Sequence, residues 1–172
     1  MTPRLRIEAL QLADLAPLAR VLREEPVYRH LGGSVPDEDT FRRQLAAALQ
    51  GPPPTALGEV WLNYSVRRAA DDELLGFTQA TVHHGLAEVA FLFGVRYWGQ
   101  GYATESLLCL HQILLARDDC HALWACTVPA NIRSRALLLR AGYVEATADR
   151  PALLATYDEG DLVYRGPRRG AS

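Results

Sequence analysis

Two closely spaced glycines, Gly99 and Gly101, stand between a strand-like run and a helix-like run in the segment 88–108, EVAFLFGVRYWGQGYATESLL. Glycine lets a ligand approach the backbone closely. The first turn of a helix presents unpaired N–H groups and the positive end of the helix dipole. A glycine turn that opens a helix is therefore typical of a phosphate-binding site.

Two common nucleotide-binding motifs do not fit this turn. The dinucleotide motif G-x-G-x-x-G requires a third glycine where this chain has Thr104, and no parallel βαβ unit with an acidic ribose partner follows. The P-loop would end in Gly-Lys-Ser/Thr, which is absent. A plain turn between a strand and a helix remains the alternative, because glycine also marks turns that bind nothing.

A lone carboxylate, Glu88, lies in the otherwise apolar run AEVAFLFGV. A buried carboxyl group tends to have a raised pKa, which suits a general base. Glu88 could equally be a rim residue that faces solvent, since a strand alternates its faces. His83 and His84 are rival bases, although the pair followed by Gly85 also indicates a hairpin turn. No metal-ligand spacing is present, so we expect no metal site.

Two motifs together resemble the GNAT acyltransferase superfamily. The first is RYWGQGYA at 96–103, which is similar to the Arg/Gln-x-x-Gly-x-Gly/Ala signature. The second is NIRSRALLLRAGYV at 131–144, with Gly142-Tyr143 in place of the usual Gly-Phe. The pair looks most like the branch of ribosomal-protein N-terminal acetyltransferases (RimJ/RimL-like). The motifs cover roughly 86–144, and the order of elements matches that fold from about 4 to 165.

The resemblance implies acetyl-CoA as the acyl donor and an amine as the acceptor. Backbone N–H groups of the glycine turn would bind the pyrophosphate, and the pantetheine arm would pair with the strand near Phe93 and Val95. Glu88 matches the catalytic glutamate of the histone-acetylating branch, and Ser134 is the second candidate catalytic residue. The implied cofactor-binding residues are Phe93, Val95, Arg96, Gly99, Gln100, Gly101, Tyr102, Ala103, Thr104, Asn131 and Ser134.

One position departs from the pattern of the family. Many members place a tyrosine, the general acid for the departing thiolate, seven residues after the motif asparagine, where this chain has Leu138. Ser134, Tyr143 or water could take that role. We expect an acetyl-CoA-dependent N-acetyltransferase that acts by direct attack on the thioester, with a protein N-terminal α-amine or a small-molecule amine as acceptor. The alternative is a non-catalytic acyl-CoA-binding or regulatory module.

Periodicity predicts the elements that position these residues. They form an α/β (α+β) fold, a mixed and mostly antiparallel sheet of about seven strands with flanking helices. We predict helices from near Asp14 and over 40–49, 101–117 and 131–141. Strands are predicted over 4–9, 60–66, 74–82, 87–95, 122–128, 142–148 and 161–166. The helix at 40–49 would be capped by Asp37, Asp39 or Thr40.

The amino-acid composition indicates which kinds of binding partner to expect. The net charge is −2, which gives no electrostatic reason to expect nucleic acid or anionic membrane. No apolar run is long enough to span a membrane. The three cysteines, Cys109, Cys120 and Cys126, lack metal-ligand spacing and indicate reduced thiols in a cytoplasmic protein. We predict a single domain over 1–166, a disordered tail over 167–172, and a possible homodimer.

Overall fold

Seven strands form one sheet in the computed structural model, which describes residues 4–167. Their order across the sheet is β1-β2-β3-β4-β5-β7-β6, and every neighbouring pair is antiparallel except β4 and β5. The predicted mixed, mostly antiparallel sheet is confirmed. The strands are β1 (Leu5–Ala9), β2 (Val60–Arg68), β3 (Leu74–His83), β4 (Leu86–Phe93), β5 (Ala122–Thr127), β6 (Val144–Glu145) and β7 (Leu162–Arg165).

Residues 4–167 contain five α-helices: α1 (Leu15–Leu22), α2 (Glu25–Tyr28), α3 (Glu38–Leu49), α4 (Tyr102–Leu115) and α5 (Ile132–Arg140). Four of them were predicted. Helix α2 was not, because its four residues are too few to show a helical repeat. Among the three candidate caps of α3, the structure selects Asp37, whose side chain accepts a hydrogen bond from the Thr40 N–H at 2.8 Å.

The two faces of the sheet are covered differently. On one face, α4 and α5 pack against Ala80, Ala87 and Val89, all of which are buried. On the other face, α1 and α3 cover the region around Phe77 and Leu92. Beyond these two helices the same face continues as Gln79, Thr81 and Ala90, which are only half-buried although they belong to central strands. We call these three residues the open floor.

Strands β4 and β5 separate part of the way along. Their parallel pairing joins Leu86–Glu88 to Ala122–Trp124 and then stops, although β4 continues to Phe93 and β5 to Thr127. A gap therefore opens between the two strands beyond Glu88 and Trp124. Strand β4 ends two residues before the predicted Val95, because the chain turns at Gly94 into a 3₁₀ helix over Val95–Tyr97.

The hairpin between β3 and β4 confirms the turn read from HHG. Its two central residues, His84 and Gly85, have φ angles of +49° and +78°. Two consecutive positive φ angles are typical of the tight turns that join antiparallel strands.

The three cysteines are free, and Cys120 is buried. Over residues 4–167 no helix is both long and apolar enough to cross a membrane. Of the predicted tail, 168–172 lies outside the described residues.

Candidate functional site

The glycine turn presents a row of amide N–H groups with no acceptor from the protein. Gly99 and Gly101 have φ angles of +73° and +83°, which L side chains rarely adopt, and α4 begins directly afterwards at Tyr102. The first internal bond of this turn is donated by the Glu105 N–H to the Gly101 carbonyl. Within the described chain, no acceptor takes the N–H groups of residues 99–104. An unpaired row of this kind suits an anion.

Arg4, the residue before β1, contacts and restrains the glycine turn. Its Nη1 donates to the Gln100 carbonyl at 3.1 Å and its Nε to Glu105 Oε2 at 2.8 Å. The guanidinium also lies 4.7 Å from the centre of the Tyr102 ring. Arg4 therefore restrains the turn and offsets the Glu105 carboxylate, which would otherwise repel a phosphate. Sequence reasoning missed Arg4, because no local pattern links residues so far apart.

The side chains of Arg96 and Gln100 are used within the protein. Arg96 Nη2 lies 2.5 Å from Glu73 Oε1, and Tyr97 donates to the same oxygen at 2.8 Å. Gln100 Nε2 donates to the Arg96 carbonyl at 2.7 Å. The structure thus does not bring the Arg96 guanidinium to the free N–H groups. Arg96 and Gln100 can therefore contact a ligand through their backbone groups in the turn.

Hydrogen-bond directions show which backbone groups of β4 face the gap. The Gly94 N–H donates to the Leu75 carbonyl on the β3 side, whereas the Gly85 carbonyl accepts from Ala122 on the β5 side. Because a strand alternates and the pairing with β5 ends at Glu88 and Trp124, the peptide groups of Phe91 and Phe93 point into the gap. The Phe93 carbonyl is already bound by the Trp98 indole N–H at 2.8 Å.

Two differences from the predicted pantetheine contacts follow. Val95 lies outside β4, and its N–H points towards Glu24 Oε1 at 3.4 Å instead of into the gap. Phe91 was missed, because sequence does not show which peptide groups of a strand lose their partner. Phe93 keeps its N–H directed towards the gap.

Helix α5 begins beside the glycine turn. Its cap is Asn131, whose Oδ1 accepts from the Ser134 N–H at 3.1 Å. The guanidinium of Arg133 lies 4.5 Å from the centre of the Trp98 ring, which joins this helix to the turn. Ser134 is half-buried, and its Oγ makes no hydrogen bond within residues 4–167. The structure therefore brings both predicted residues to the same end of the gap as the glycines.

Glu88 is buried, with 3% of its surface exposed, so the reading of a solvent-facing rim residue is wrong. Its Oε1 lies 2.6 Å from His83 Nε2 and accepts from the Ala155 N–H at 2.8 Å. Its Oε2 accepts from the Thr156 N–H at 2.8 Å and from the Thr156 hydroxyl. An ionised carboxylate only accepts, so His83 donates from Nε2 in this arrangement.

The expected rise in the pKa of Glu88 is also wrong. Burial alone raises the pKa of this carboxyl. The hydrogen bonds from Thr156, Ala155 and His83 outweigh burial, and the pKa of Glu88 is lower than its ordinary value. Burial of Glu88 was predicted correctly, but two of its donor residues, Ala155 and Thr156, lie almost seventy residues later in the chain. Its role as a proton acceptor stays a prediction.

The structure places two residues that bear on the general acid, Leu138 in the usual tyrosine position and the candidate Tyr143. Leu138 has no exposed surface and packs in the core below α4, so the usual tyrosine position is filled by packing. Tyr143 is also buried, its hydroxyl lies 2.9 Å from His111 Nε2, and burial raises the pKa of its phenol. Tyr143 is therefore not placed to protonate a thiolate. Ser134 and water remain.

Other features of the surface do not compete with this site. One concavity of about 580 Å³ is lined by residues 145–150, and one of about 490 Å³ lies between α1, Glu73 and Arg96. Neither is in the gap. In the described part of the chain, no group of three or more histidine, cysteine or acidic residues could hold a metal ion.

Comparison with known proteins gives a family match. The family model described as an acetyltransferase (GNAT) domain matches residues 4–144. A search of curated proteins finds no match. Among solved structures, an acetyltransferase (GNAT family) from Bacillus anthracis superposes with a TM-score of 0.75 at 16% identity, covering 94% of this chain and 93% of that one.

Two further structures of similar fold contain bound ligands. The first is AAC(6')-Ib in complex with paromomycin and acetyl-CoA, with a TM-score of 0.74, 18% identity, and coverage of 96% of this chain and 93% of that one. The second is spermidine N-acetyltransferase from Vibrio cholerae in complex with CoA and spermine, with a TM-score of 0.70, 15% identity, and coverage of 94% and 93%. At these identities the likeness shows the fold alone.

Proposed function

Because the chain belongs to the GNAT acetyltransferase family, we propose that it transfers the acetyl group of acetyl-CoA directly to a primary amine. The acceptor is a protein N-terminal α-amine or a small-molecule amine. The observation that carries the proposal is the row of unpaired N–H groups at residues 99–104, next to a gap lined by unpaired strand backbone. The two features match the two ends of the donor, a pyrophosphate and a pantetheine arm with its thioester.

We assign the following roles to residues of this chain. The N–H groups of residues 99–104 would bind the pyrophosphate, with Arg4 holding the turn. The peptide groups of Phe91 and the N–H of Phe93 would pair with the pantetheine, and an N–H of β4 would stabilise the oxyanion that forms at the thioester. One such donor is typically worth a factor of about 10²–10³ in rate. Asn131 and Ser134 would flank the thiol end of the arm.

In this reaction the C–N bond forms, the C–S bond breaks, and the proton that the amine loses passes through water to the departing thiolate. A neutral amine therefore needs no side chain to deprotonate it before it attacks. A free thiol has a pKa of about 8.5, so the thiolate is a tolerable leaving group even without the missing tyrosine. An α-amine with a pKa near 8 is about one-tenth neutral at pH 7, whereas a lysine is less than about one-thousandth neutral. The saturated hydrogen bonding of Glu88 therefore favours acceptors that are partly neutral at the working pH.

The open floor is our proposed acceptor site. Gln79, Thr81 and Ala90 lie on the face opposite α4 and α5, beside the gap, and none of them is fully covered. The sequence motifs resemble the RimJ/RimL-like branch, which supports an α-amine. The AAC(6')-Ib and spermidine N-acetyltransferase structures contain paromomycin and spermine, which supports a small-molecule amine. A cytoplasmic location and a homodimer belong to the same proposal.

The test is the release of free thiol from acetyl-CoA with a panel of amines. The panel would contain peptides with free N-termini, N-terminally blocked peptides that contain lysine, polyamines and aminoglycosides. We expect at least one class to raise thiol release above the hydrolysis background, with an acetylated amine found by mass spectrometry. Leu138 in the tyrosine position is the observation that favours a non-catalytic module. Donor binding without release across the panel would support that module and refute the enzyme.

A further inference from the structure

We propose that Glu88 is a positioning residue that holds the segment 151–157 against the sheet as a wall of the acceptor site, and is not the group that accepts the proton of the amine. The inference rests on the proposed function, because the acceptor site is the one proposed above. It changes the role expected for this carboxylate from the sequence.

The hydrogen bonding of Glu88 leaves it no free lone pair. A carboxylate has two oxygens and about four lone-pair positions. Each oxygen of Glu88 has two donors: His83 and the Ala155 N–H at Oε1, and the N–H and hydroxyl of Thr156 at Oε2. A general base must lie within hydrogen-bond reach of the proton that it removes. In this arrangement every position on Glu88 is occupied by the protein itself.

The segment 151–157 depends on Glu88 for its attachment. Within residues 4–167, the hydrogen bonds that join this segment to the rest of the chain end on Glu88, apart from a contact of the Thr156 side chain with the Cys126 thiol. They come from the Ala155 N–H and from the N–H and hydroxyl of Thr156. The other attachment is apolar: Leu154 is buried and packs with Trp124 and Val163, and Tyr157 lies against the same cluster. Ala155 and Thr156 are themselves exposed.

The attachment point lies at the edge of the open floor. Glu88 pairs with Thr81 across β3 and with Trp124 across β5, so all three side chains lie on the same face. Thr81 and Ala90, the neighbours of Glu88 on this face, are half-buried. Residues 154–157 therefore cover the sheet as far as Glu88, and the open floor begins at the neighbouring Thr81 and Ala90. Glu88 and Trp124 are also the last pair before the gap, so this wall stands beside the place where donor and acceptor would meet.

Two substitutions weaken the attachment in different ways. Glu88→Gln replaces one acceptor oxygen with an NH₂ group, which faces backbone N–H donors. Thr156→Val removes one hydroxyl donor, keeps the shape of the side chain and leaves the Glu88 carboxylate in place. Thr156→Ser restores the hydroxyl. Thr55→Val is the matched control, because Thr55 is exposed and makes no side-chain hydrogen bond within the described residues.

The first measurement needs no activity. Hydrogen exchange in the free protein, followed on peptides that cover 151–161, reports how firmly the segment is held. We expect the amides of Ala155 and Thr156 to exchange at least about tenfold faster in Glu88→Gln and Thr156→Val. Thr156→Ser and Thr55→Val should exchange like the wild type. Unchanged exchange in both Glu88→Gln and Thr156→Val would overturn the proposal.

The second measurement separates a wall from a base. We expect Glu88→Gln and Thr156→Val to raise KM for the amine about tenfold, with kcat and the KM for acetyl-CoA much less affected, as for lost acceptor binding. The pH profile of kcat/KM should keep its wild-type shape in Glu88→Gln. If Glu88→Gln instead lowers kcat, removes the acid limb of the profile and leaves KM unchanged, while Thr156→Val behaves like Thr55→Val, Glu88 is the base.

The two proposals can fail separately. A protein that transfers no acetyl group to any amine refutes the proposed function. The exchange rates of residues 151–161 still decide whether Glu88 holds the segment, because that measurement uses the free protein. If Glu88→Gln does not fold, both measurements can still be made on Thr156→Val, with Thr156→Ser as the variant that restores the hydroxyl.

Discussion

Adding one methyl group at Gly99 tests the glycine turn against a matched glycine elsewhere. Gly99 has a φ of +73°, and a Cβ built there meets no protein atom within 4 Å. Gly51, after α3, has a φ of +81° and is equally open. Gly99→Ala and Gly51→Ala therefore introduce the same kind of backbone strain. Only the methyl group at Gly99 projects beside the unpaired N–H groups of the turn.

The magnitudes follow from the backbone conformation and from the proposed contacts. A left-handed conformation costs an L-residue about 1–2 kcal/mol, so we expect both variants to lower the free energy of unfolding by that amount. A hydrogen bond to a charged group contributes about 1.5–3 kcal/mol. If the methyl group displaces the pyrophosphate from one N–H, Gly99→Ala should raise the Kd of acetyl-CoA about 10- to 100-fold.

Urea unfolding and calorimetric titration measure the two quantities on the same samples. We expect equal losses of stability in the two variants and a rise in Kd for Gly99→Ala alone. The reasoning is refuted if Gly99→Ala binds acetyl-CoA as tightly as Gly51→Ala, because the phosphates then do not approach the turn. A parallel loss of affinity in both variants would also refute it, since strain alone would explain the effect.

Three further outcomes follow from the described contacts. Tyr143→Phe should lower the free energy of unfolding by about 1–3 kcal/mol, because it leaves the buried His111 Nε2 without its partner at 2.9 Å; urea unfolding that shows no loss would contradict this. Arg4→Gln should weaken acetyl-CoA binding several-fold, whereas Arg6→Gln, a neighbouring arginine on β1 that does not contact the turn, should bind like the wild type in the same titration. The pKa of Glu88 is lowered on folding, so its contribution to stability is present above the ordinary carboxyl pKa of about 4.3 and is lost as pH falls through the lower folded value. Unfolding followed from pH 5 to pH 3 should therefore show a steeper loss for the wild type than for Glu88→Gln, and equal slopes would contradict the lowered pKa.

Local patterns were sufficient for most of the fold. The alternation in β1 and the helical repeat in α1 follow from which side chains can be buried, and these depend on neighbours close in sequence. The hairpin at His84 and Gly85 could be read because tight turns require residues that accept a positive φ. Helix α2 could not be predicted, since a single turn gives no repeat. The end of β4 was placed too late, because Val95 is apolar and nothing in sequence marks the 3₁₀ turn.

The candidate site was predictable where it consists of backbone and not where it depends on distant partners. Glycines at 99 and 101 mark a turn whose geometry few other residues allow. The environment of Glu88 was not predictable, because its donors at Ala155 and Thr156 lie almost seventy residues away in an irregular segment. The direction of its pKa followed from those donors. The contact of Arg4 with the turn was not predictable either, because Arg4 reaches the turn only after the sheet has formed.

The most direct test of the central claim is thermal unfolding with saturating acetyl-CoA, compared with S-acetylpantetheine, which has the thioester arm without the pyrophosphate. A ligand at about 100 times its Kd adds roughly 2.7 kcal/mol to the free energy of unfolding. For a domain of this size, that corresponds to a rise in Tm of about 5–10 °C. We predict this rise with acetyl-CoA and little or none with S-acetylpantetheine at the same concentration. No rise with acetyl-CoA would contradict the claim that the glycine turn binds its phosphates.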